Sequence, residues 1–214
     1  MPQVYANEHL TIEAFTGLGR FANNTYVLRP AGGGPVTVAD VPEGVEAVVA
    51  ALGDTPVERI VVTHSHGDHW AGFDVMRAAT PAPVYAGAEE TNLDVSREVL
   101  GLAHEQTFPV GAATVRVIHT PGHTPGSICL LVDGALLTGD TLFPGGPGRT
   151  RDPQSLAQEI HSITSRLYVL PPETLVLPGH GDTTTIAHSQ EEYAVFASKP
   201  HAPDLAGDVL WLES

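Results

Sequence analysis

Thr63-His64-Ser65-His66-Gly67-Asp68-His69 gathers three histidines and one aspartate within the six residues 64–69, directly after the apolar run Ile60-Val61-Val62. Neutral imidazole is the commonest side-chain metal ligand, and a carboxylate is its usual companion on a divalent ion. In extended chain, residues i and i+2 project to the same side, so His64 and His66 are placed to grip one cation. Asp68 and His69 lie past the turn at Gly67 and face a second. A merely polar surface turn rarely has this composition, and one short loop therefore seeds two metal sites.

Two metals need more donors, and the chain supplies them at turns after apolar runs. His123 lies in Thr120-Pro121-Gly122-His123-Thr124-Pro125-Gly126-Ser127, after the strand-like Thr114–Ile118. Asp140 ends Ala135-Leu136-Leu137-Thr138-Gly139-Asp140, and His180 ends Thr174-Leu175-Val176-Leu177-Pro178-Gly179-His180. In each case Gly or Pro alongside shapes a tight turn and lets backbone approach the donor.

The ordered set His-x-His-x-Asp-His, Gly-His-Thr-Pro-Gly-Ser, Thr-Gly-Asp-Thr-Leu-Phe and Pro-Gly-His resembles the metallo-β-lactamase superfamily. Within it, the set is most similar to the glyoxalase II (hydroxyacylglutathione hydrolase) branch, over roughly Phe21 to the helix after His180. The resemblance implies an α/β fold, the αβ/βα four-layer sandwich of that superfamily. It further implies that His64, His66 and His123 hold a first metal, that Asp68, His69 and His180 hold a second, and that Asp140 bridges them. The cofactors would be two divalent ions, zinc first, with iron or manganese as alternatives because histidine with carboxylate suits all three.

The implied function is hydrolysis of thioesters or related acyl esters, with lactones as the nearest variant. Two adjacent cations lower the pKa of a shared water from about 15.7 toward ~7, so no serine or cysteine nucleophile is required. Asp140 would fix the separation of the ions, and Asp68 would orient the nucleophile or shuttle its proton. The rival function is a persulfide dioxygenase of the same fold, with a single iron held by His64, His123 and Asp140. Asp140 stands where one class of true β-lactamases has cysteine, and His69 is retained, which weighs against antibiotic hydrolysis. His66 stands where the redox diiron relatives carry glutamate.

For the substrate, the resemblance points to Arg149, nine residues after Asp140, as a contact for a glutathione carboxylate, with a structural ion pair as the alternative and Arg151 beside it. The branch has an aromatic residue at position 151 and a tyrosine at 182, where this chain has Arg151 and Asp182. The chain also ends soon after the helix that follows His180, which predicts loose recognition of the thiol. Asp40, ending Thr37-Val38-Ala39-Asp40, resembles an aspartate that supports the ligand histidines, with a plain turn residue as the alternative. Thr63 and Ser127 are expected to orient ligands, and Trp70 to pack at the start of its helix.

The elements that must position these groups follow from periodicity. Strands are expected at 10–15, 25–28, 36–39, 60–63, 84–86, 114–118, 127–132, 135–138 and 174–177. Helices are expected at 44–52, 72–79, 89–100 and 153–167, the last capped by Asp152 with Pro153 at its first position. A final helix should begin near Thr185, capped by Thr183 or Thr184, and reach about Ala197. Residues 31–35 read as a turn, and 143–148 as a long irregular loop beside the site. No low-complexity segment or internal repeat is evident.

The 214 residues, 42% of them hydrophobic, are expected to form a single domain spanning 1–214. Ten Lys and Arg against 25 Asp and Glu leave a net charge of −15. A surface of that sign repels nucleic acid and anionic membranes and disfavours the RNA-processing nucleases of the superfamily. The N-terminus shows no basic segment followed by an apolar core, and no apolar run approaches ~18 residues, so a cytoplasmic location is expected. The one cysteine, Cys129, lies in an apolar strand and reads as core. The expected partner is a small-molecule acyl thioester or ester substrate, and the oligomeric state is not encoded.

Overall fold

A computed structural model describes residues 3–91 and 97–214. β1 (Gln3–Ala6), β2 (Leu10–Leu18), β3 (Asn23–Pro30), β4 (Val36–Ala39), β5 (Val57–Val61), β6 (Val84–Gly87) and β7 (Val99–Leu102) pair in sequence order into a seven-stranded sheet. They are followed by β8 (Thr107–Val110), β9 (Ala113–His119), β10 (Ile128–Val132), β11 (Ala135–Gly139), the short pair β12 (Leu142–Phe143) and β13 (Gly146–Pro147), β14 (Leu175–Pro178) and β15 (Thr184–Thr185). Apart from the β12–β13 pair, these form a six-stranded sheet in the order β15-β14-β11-β10-β9-β8. The helices are α1 (Glu46–Leu52), α2 (Phe73–Ala79), α3 (Pro153–Ser162) and α4 (Ile186–Ala197).

Period-two alternation sorts the strand side chains into layers. Leu10 and Ile12 of β2, Val115 and Val117 of β9, and Leu130 and Leu137 of β10 and β11 meet in a core between the two sheets. The opposite face of the first sheet, with Val38 and Ile60, packs on Val48 and Leu52 of α1 and on Phe73 and Met76 of α2. The opposite face of the second, with Ile118, Leu136 and Val176, packs on Leu156 of α3 and on Ile186 and Phe196 of α4. Helices therefore cover both outer faces, giving the four-layer αβ/βα sandwich.

Strands β4 to β7 run parallel, and β11 runs parallel to β14. Parallel neighbours need crossovers: α1 lies between β4 and β5, α2 between β5 and β6, and α3 between β11 and β14. The carboxyl ends of β5, β11 and β14 consequently deliver their loops to one end of the sandwich, the usual location of a ligand site in parallel sheets.

Several expected elements differ. The helix expected at 89–100 is not formed over its described part: Val99 and Leu100 belong to β7, paired with Val84 and Tyr85, and residues 92–96 lie outside the described residues. Cross-strand pairing overrode the helix-like spacing. The loop 143–148 contains the β12–β13 pair, with Phe143 opposite Gly146. The last helix is capped by Thr185, whose hydroxyl accepts from the His188 N–H at 3.2 Å, rather than by Thr183 or Thr184. Thr184 is held in β15 opposite Val176, which moves the helix start forward. The helix expected at 153–167 is α-helical to Ser162 and closes with a π-helical turn, Ile163–Leu167. Asp152 does cap it, accepting from the Ser155 N–H at 2.7 Å. Among the described residues, no helix is long and apolar enough to cross a membrane.

Candidate metal centre

The predicted donors converge from four loops. His64 leaves β5, and Gly67–His69 form one 3-10 turn that carries Asp68 and His69 inward. His123 lies between β9 and β10, Asp140 follows β11 and His180 follows β14. The donor atoms group as His64, His66 and His123; as His64, His69 and Asp140; and as Asp68, His69 and His180, each set within 4.8 Å. Asp140 stands between the outer sets. Its Oδ1 is 3.3 Å from His69 Nε2, and its Oδ2 is 3.5 Å from His180 Nε2 and 3.6 Å from His123 Nε2.

The outward-facing ring nitrogens are already committed. His123 Nδ1 donates to the Arg149 carbonyl at 2.9 Å, and His180 Nδ1 to the Phe21 carbonyl at 2.9 Å. His69 Nδ1 meets Asp40 Oδ2 at 2.8 Å. Thr63 Oγ1 donates to Asp40 Oδ2 at 2.9 Å, which leaves it free to accept from His64 Nδ1 at 3.1 Å. These partners place the proton on Nδ1 and turn each Nε2 lone pair toward the centre, as metal-ligating histidines require. His69 Nε2 and Asp140 Oδ1 are buried without a hydrogen bond, and His64 Nε2 and His123 Nε2 face each other at 3.2 Å. Two buried acceptor atoms without donors are costly unless a cation sits between them. The donor set fits two divalent ions.

Asp40 is buried and sits at φ 61°, in the left-handed region that aspartate tolerates. There it accepts from the Thr63 N–H at 2.8 Å as well as from His69, so it is a positioning residue rather than a plain turn residue. Ser127 acts one step further out, through Thr124 at 2.7 Å. Trp70 is buried against Phe73, with ring centroids 6.0 Å apart, and packs as expected.

Two glycines are required here. A Cβ on Gly148 would come within 1.9 Å of the Asp140 carbonyl oxygen, and one on Gly179 within 2.4 Å of Asp140 Oδ1. Any side chain at either position would displace Asp140.

Electrostatics without metal reflect the crowding. Burial pushes His64 and His123 down, His123 to about 4, with neighbouring imidazoles adding to the effect. Burial opposes the charged form of His180 too, but Asp140 and Asp68 lift it to about 10. Burial would raise Asp68, yet hydrogen bonds from His180 and Asn23 hold it well below the carboxylate range. Asp140 is held low in the same way by His180 and His69.

Three contributors were not singled out from the sequence. Asn23 Nδ2 donates to Asp68 Oδ2 at 2.8 Å. Glu90 Oε2 accepts from the Ser65 N–H at 3.2 Å and from Thr124 Oγ1 at 2.7 Å, tying the loop of His64 and His66 to that of His123. Glu159 on α3 is fully buried, with both carboxyl oxygens lacking a hydrogen bond. Burial pushes its pKa up to about 9, and the Asp140 charge assists the rise. None of these carries a local signal in the sequence.

Arg149 and Arg151 lie beside the centre but are not held in it. Arg149 NH1 is 3.8 Å from Asp208 and Arg151 Nε is 2.8 Å from Asp152, with all four side chains exposed. Both arginines, with His66 and His123, line a cavity of about 490 Å³.

Residues 18–180 match the family model described as Metallo-beta-lactamase superfamily. A hydroxyacylglutathione hydrolase of Alkalilimnicola ehrlichii is 39% identical over 140 residues, covering 64% of this chain and 52% of that protein. Another, of Cereibacter sphaeroides, is 38% identical over 162 residues, covering 74% and 62%. The chain thus matches between 52% and 62% of the length of these relatives. Among solved structures, ETHE1 from Myxococcus xanthus aligns with a TM-score of 0.73 and 29% identity, over 88% of this chain and 85% of that one.

Proposed function

This chain belongs to the metallo-beta-lactamase superfamily, and from that membership we propose that it is a dinuclear metal-dependent hydrolase of acyl thioesters or related acyl esters. The observation that carries the reading is Asp140, which stands between the two donor sets: its Oδ1 is 3.3 Å from His69, and its Oδ2 is 3.6 Å from His123 and 3.5 Å from His180. In this reading His64, His66 and His123 hold the first ion, Asp68, His69 and His180 the second, and Asp140 both, with zinc favoured over iron or manganese. Such a pair of ions supplies an activated water at neutral pH and polarises an acyl carbonyl.

The protein's own groups do the positioning. Asp40 and Thr63 fix the rings of His69 and His64, and the Arg149 and Phe21 carbonyls fix those of His123 and His180. Asp68 accepts from Asn23 Nδ2 at 2.8 Å, which fixes its carboxylate, and we assign it the orienting role. Arg149 and Arg151 are proposed to steer an anionic part of the substrate from the rim. Names of the relatives, hydroxyacylglutathione hydrolase among them, support thioesters as the substrate class.

The rival reading, persulfide oxidation at a single iron held by His64, His123 and Asp140, leaves Asp68, His69 and His180 without a task. Elemental analysis of protein purified without added metal, paired with a panel of thioesters, lactones and glutathione persulfide, separates the two. Two ions per chain with thioester turnover is the expected result. One tightly held iron, a second site that stays empty after supplementation, and oxygen uptake with the persulfide would overturn it.

A further inference from the structure

A second cavity, of about 280 Å³, is lined by His123, Asp140 and His180 and does not reach Arg151. One wall is the β12–β13 turn, including Phe143 and Pro144, and the other is the chain at Asp208–Leu210. That second wall lies beyond the 18–180 span of the family match.

The wall is built rather than draped. Thr150 and Gly207 exchange backbone hydrogen bonds of 3.1 and 3.0 Å, and the Trp211 N–H donates to the Gly145 carbonyl at 2.7 Å. Val209 and Trp211 are buried, Trp211 against Tyr193 and Phe196. A Cβ on Gly146 would come within 2.5 Å of the Val209 carbonyl oxygen, so the two walls lie flush. Leu210, between two buried anchors, is turned outward and is 43% exposed. Its surface joins Pro144 and Phe143, and the Phe143 ring is 6.3 Å from that of His180. Apart from the candidate metal donors, the charged residues lining this hollow are Arg149 and Asp208, of opposite sign and 3.8 Å apart.

We infer that this hollow receives an apolar arm of the substrate, a short alkyl or aryl group next to the scissile ester. The inference rests on the hydrolase reading for its context, and deepens it by naming the chemistry of one arm. Arg149 and Asp208 together bring no net charge to this side, whereas Phe143, Pro144 and Leu210 offer contact to methylenes. Each methylene seated there should raise affinity or kcat/KM about fourfold, the equivalent of ~0.8 kcal/mol per buried CH2.

The test uses the metal-loaded protein and two readouts. Calorimetric titration with straight-chain alkanoates from acetate to octanoate reports the hollow without requiring turnover. Affinity should climb with chain length in the wild type, flatten to less than twofold per methylene in Leu210→Ala, and fall for the longer acids in Leu210→Trp. Val169→Asp, an exposed change not lining the hollow, should keep the wild-type slope. Thioester series lengthened on the acyl side or on the thiol side then show which arm occupies the hollow, by which slope Leu210→Ala removes. A flat wild-type alkanoate series, or a slope that both Leu210 variants retain, would overturn the inference. Chain-length-dependent alkanoate binding without hydrolysis of any ester would sink the hydrolase reading and leave the hollow standing.

Discussion

The floor of the site and its rim are built on different principles. On the floor, four histidines each have one ring nitrogen tied to a fixed partner, and Asp140 is wedged between Gly148 and Gly179, where no Cβ fits. On the rim, Arg149 and Arg151 are long side chains in exposed ion pairs, and pairs of that kind contribute little and reorient readily. The floor is therefore organised for chemistry that tolerates no displacement, and the rim for contacts that can vary with the substrate. Substitutions on the floor should act on metal and turnover, those on the rim on apparent affinity.

The sharpest test of that division is Asp140→Ala. Removing the carboxylate shared by both donor sets should lower turnover by about 10³-fold or more and reduce the metal content, read by steady-state kinetics beside elemental analysis. Retained two-metal content with near-normal turnover would erase the distinction between floor and rim.

Glu159 probes the buried wall behind the floor through pH. Its folded pKa, pushed up to about 9 by burial, exceeds the ordinary value of 4.5, so the folded chain keeps a proton that the unfolded chain releases. Stability from this group is complete below about pH 4.5 and is lost as pH rises toward 9. In the metal-free protein, Glu159→Gln should be neutral near pH 4 and stabilising at pH 7, with a ceiling of about 3 kcal/mol. Thermal melts across that range would show parallel curves for the two proteins if Glu159 were already ionised at neutral pH.

Asp40 separates geometry from charge. Asp40→Ala leaves the Thr63 N–H unpaired and frees the His69 ring, and a 10- to 100-fold loss in metal affinity is expected, of the order found for supporting groups behind metal ligands. Asp40→Asn keeps the backbone conformation and one acceptor, and should fall between Ala and wild type in chelator competition. Equal affinities for all three would mean that His69 needs no support.

The smallest effect is expected at the rim. Arg149→Ala and Arg151→Ala should leave kcat within about twofold and raise KM for anionic thioesters by less than about tenfold each. A drop in kcat matching that of Asp140→Ala, at full metal content, would move the arginines from the rim to the floor.

Much of the floor was legible in the chain because metal chemistry restricts both residue type and spacing. His64 and His66 on extended chain, the turn at Gly67, and donors placed at strand ends are local patterns, and the apolar runs before those donors showed the strands that deliver them. The chain alone also carried the cap at Asp152, since capping involves only neighbours in sequence. Tertiary structure decided the rest. The pairing of Val99 and Leu100 with β6 replaced an expected helix, because ladder bonds to a distant strand outweigh local propensity. Glu90 reaches Thr124 and Asn23 reaches Asp68 at sequence separations of 34 and 45, the wall at Leu210 meets the site from still another part of the chain, and no local pattern encodes such encounters. Ligand identity is written in short-range spacing, whereas the supports and walls around the ligands arise from where two sheets and a returning segment of chain come into contact.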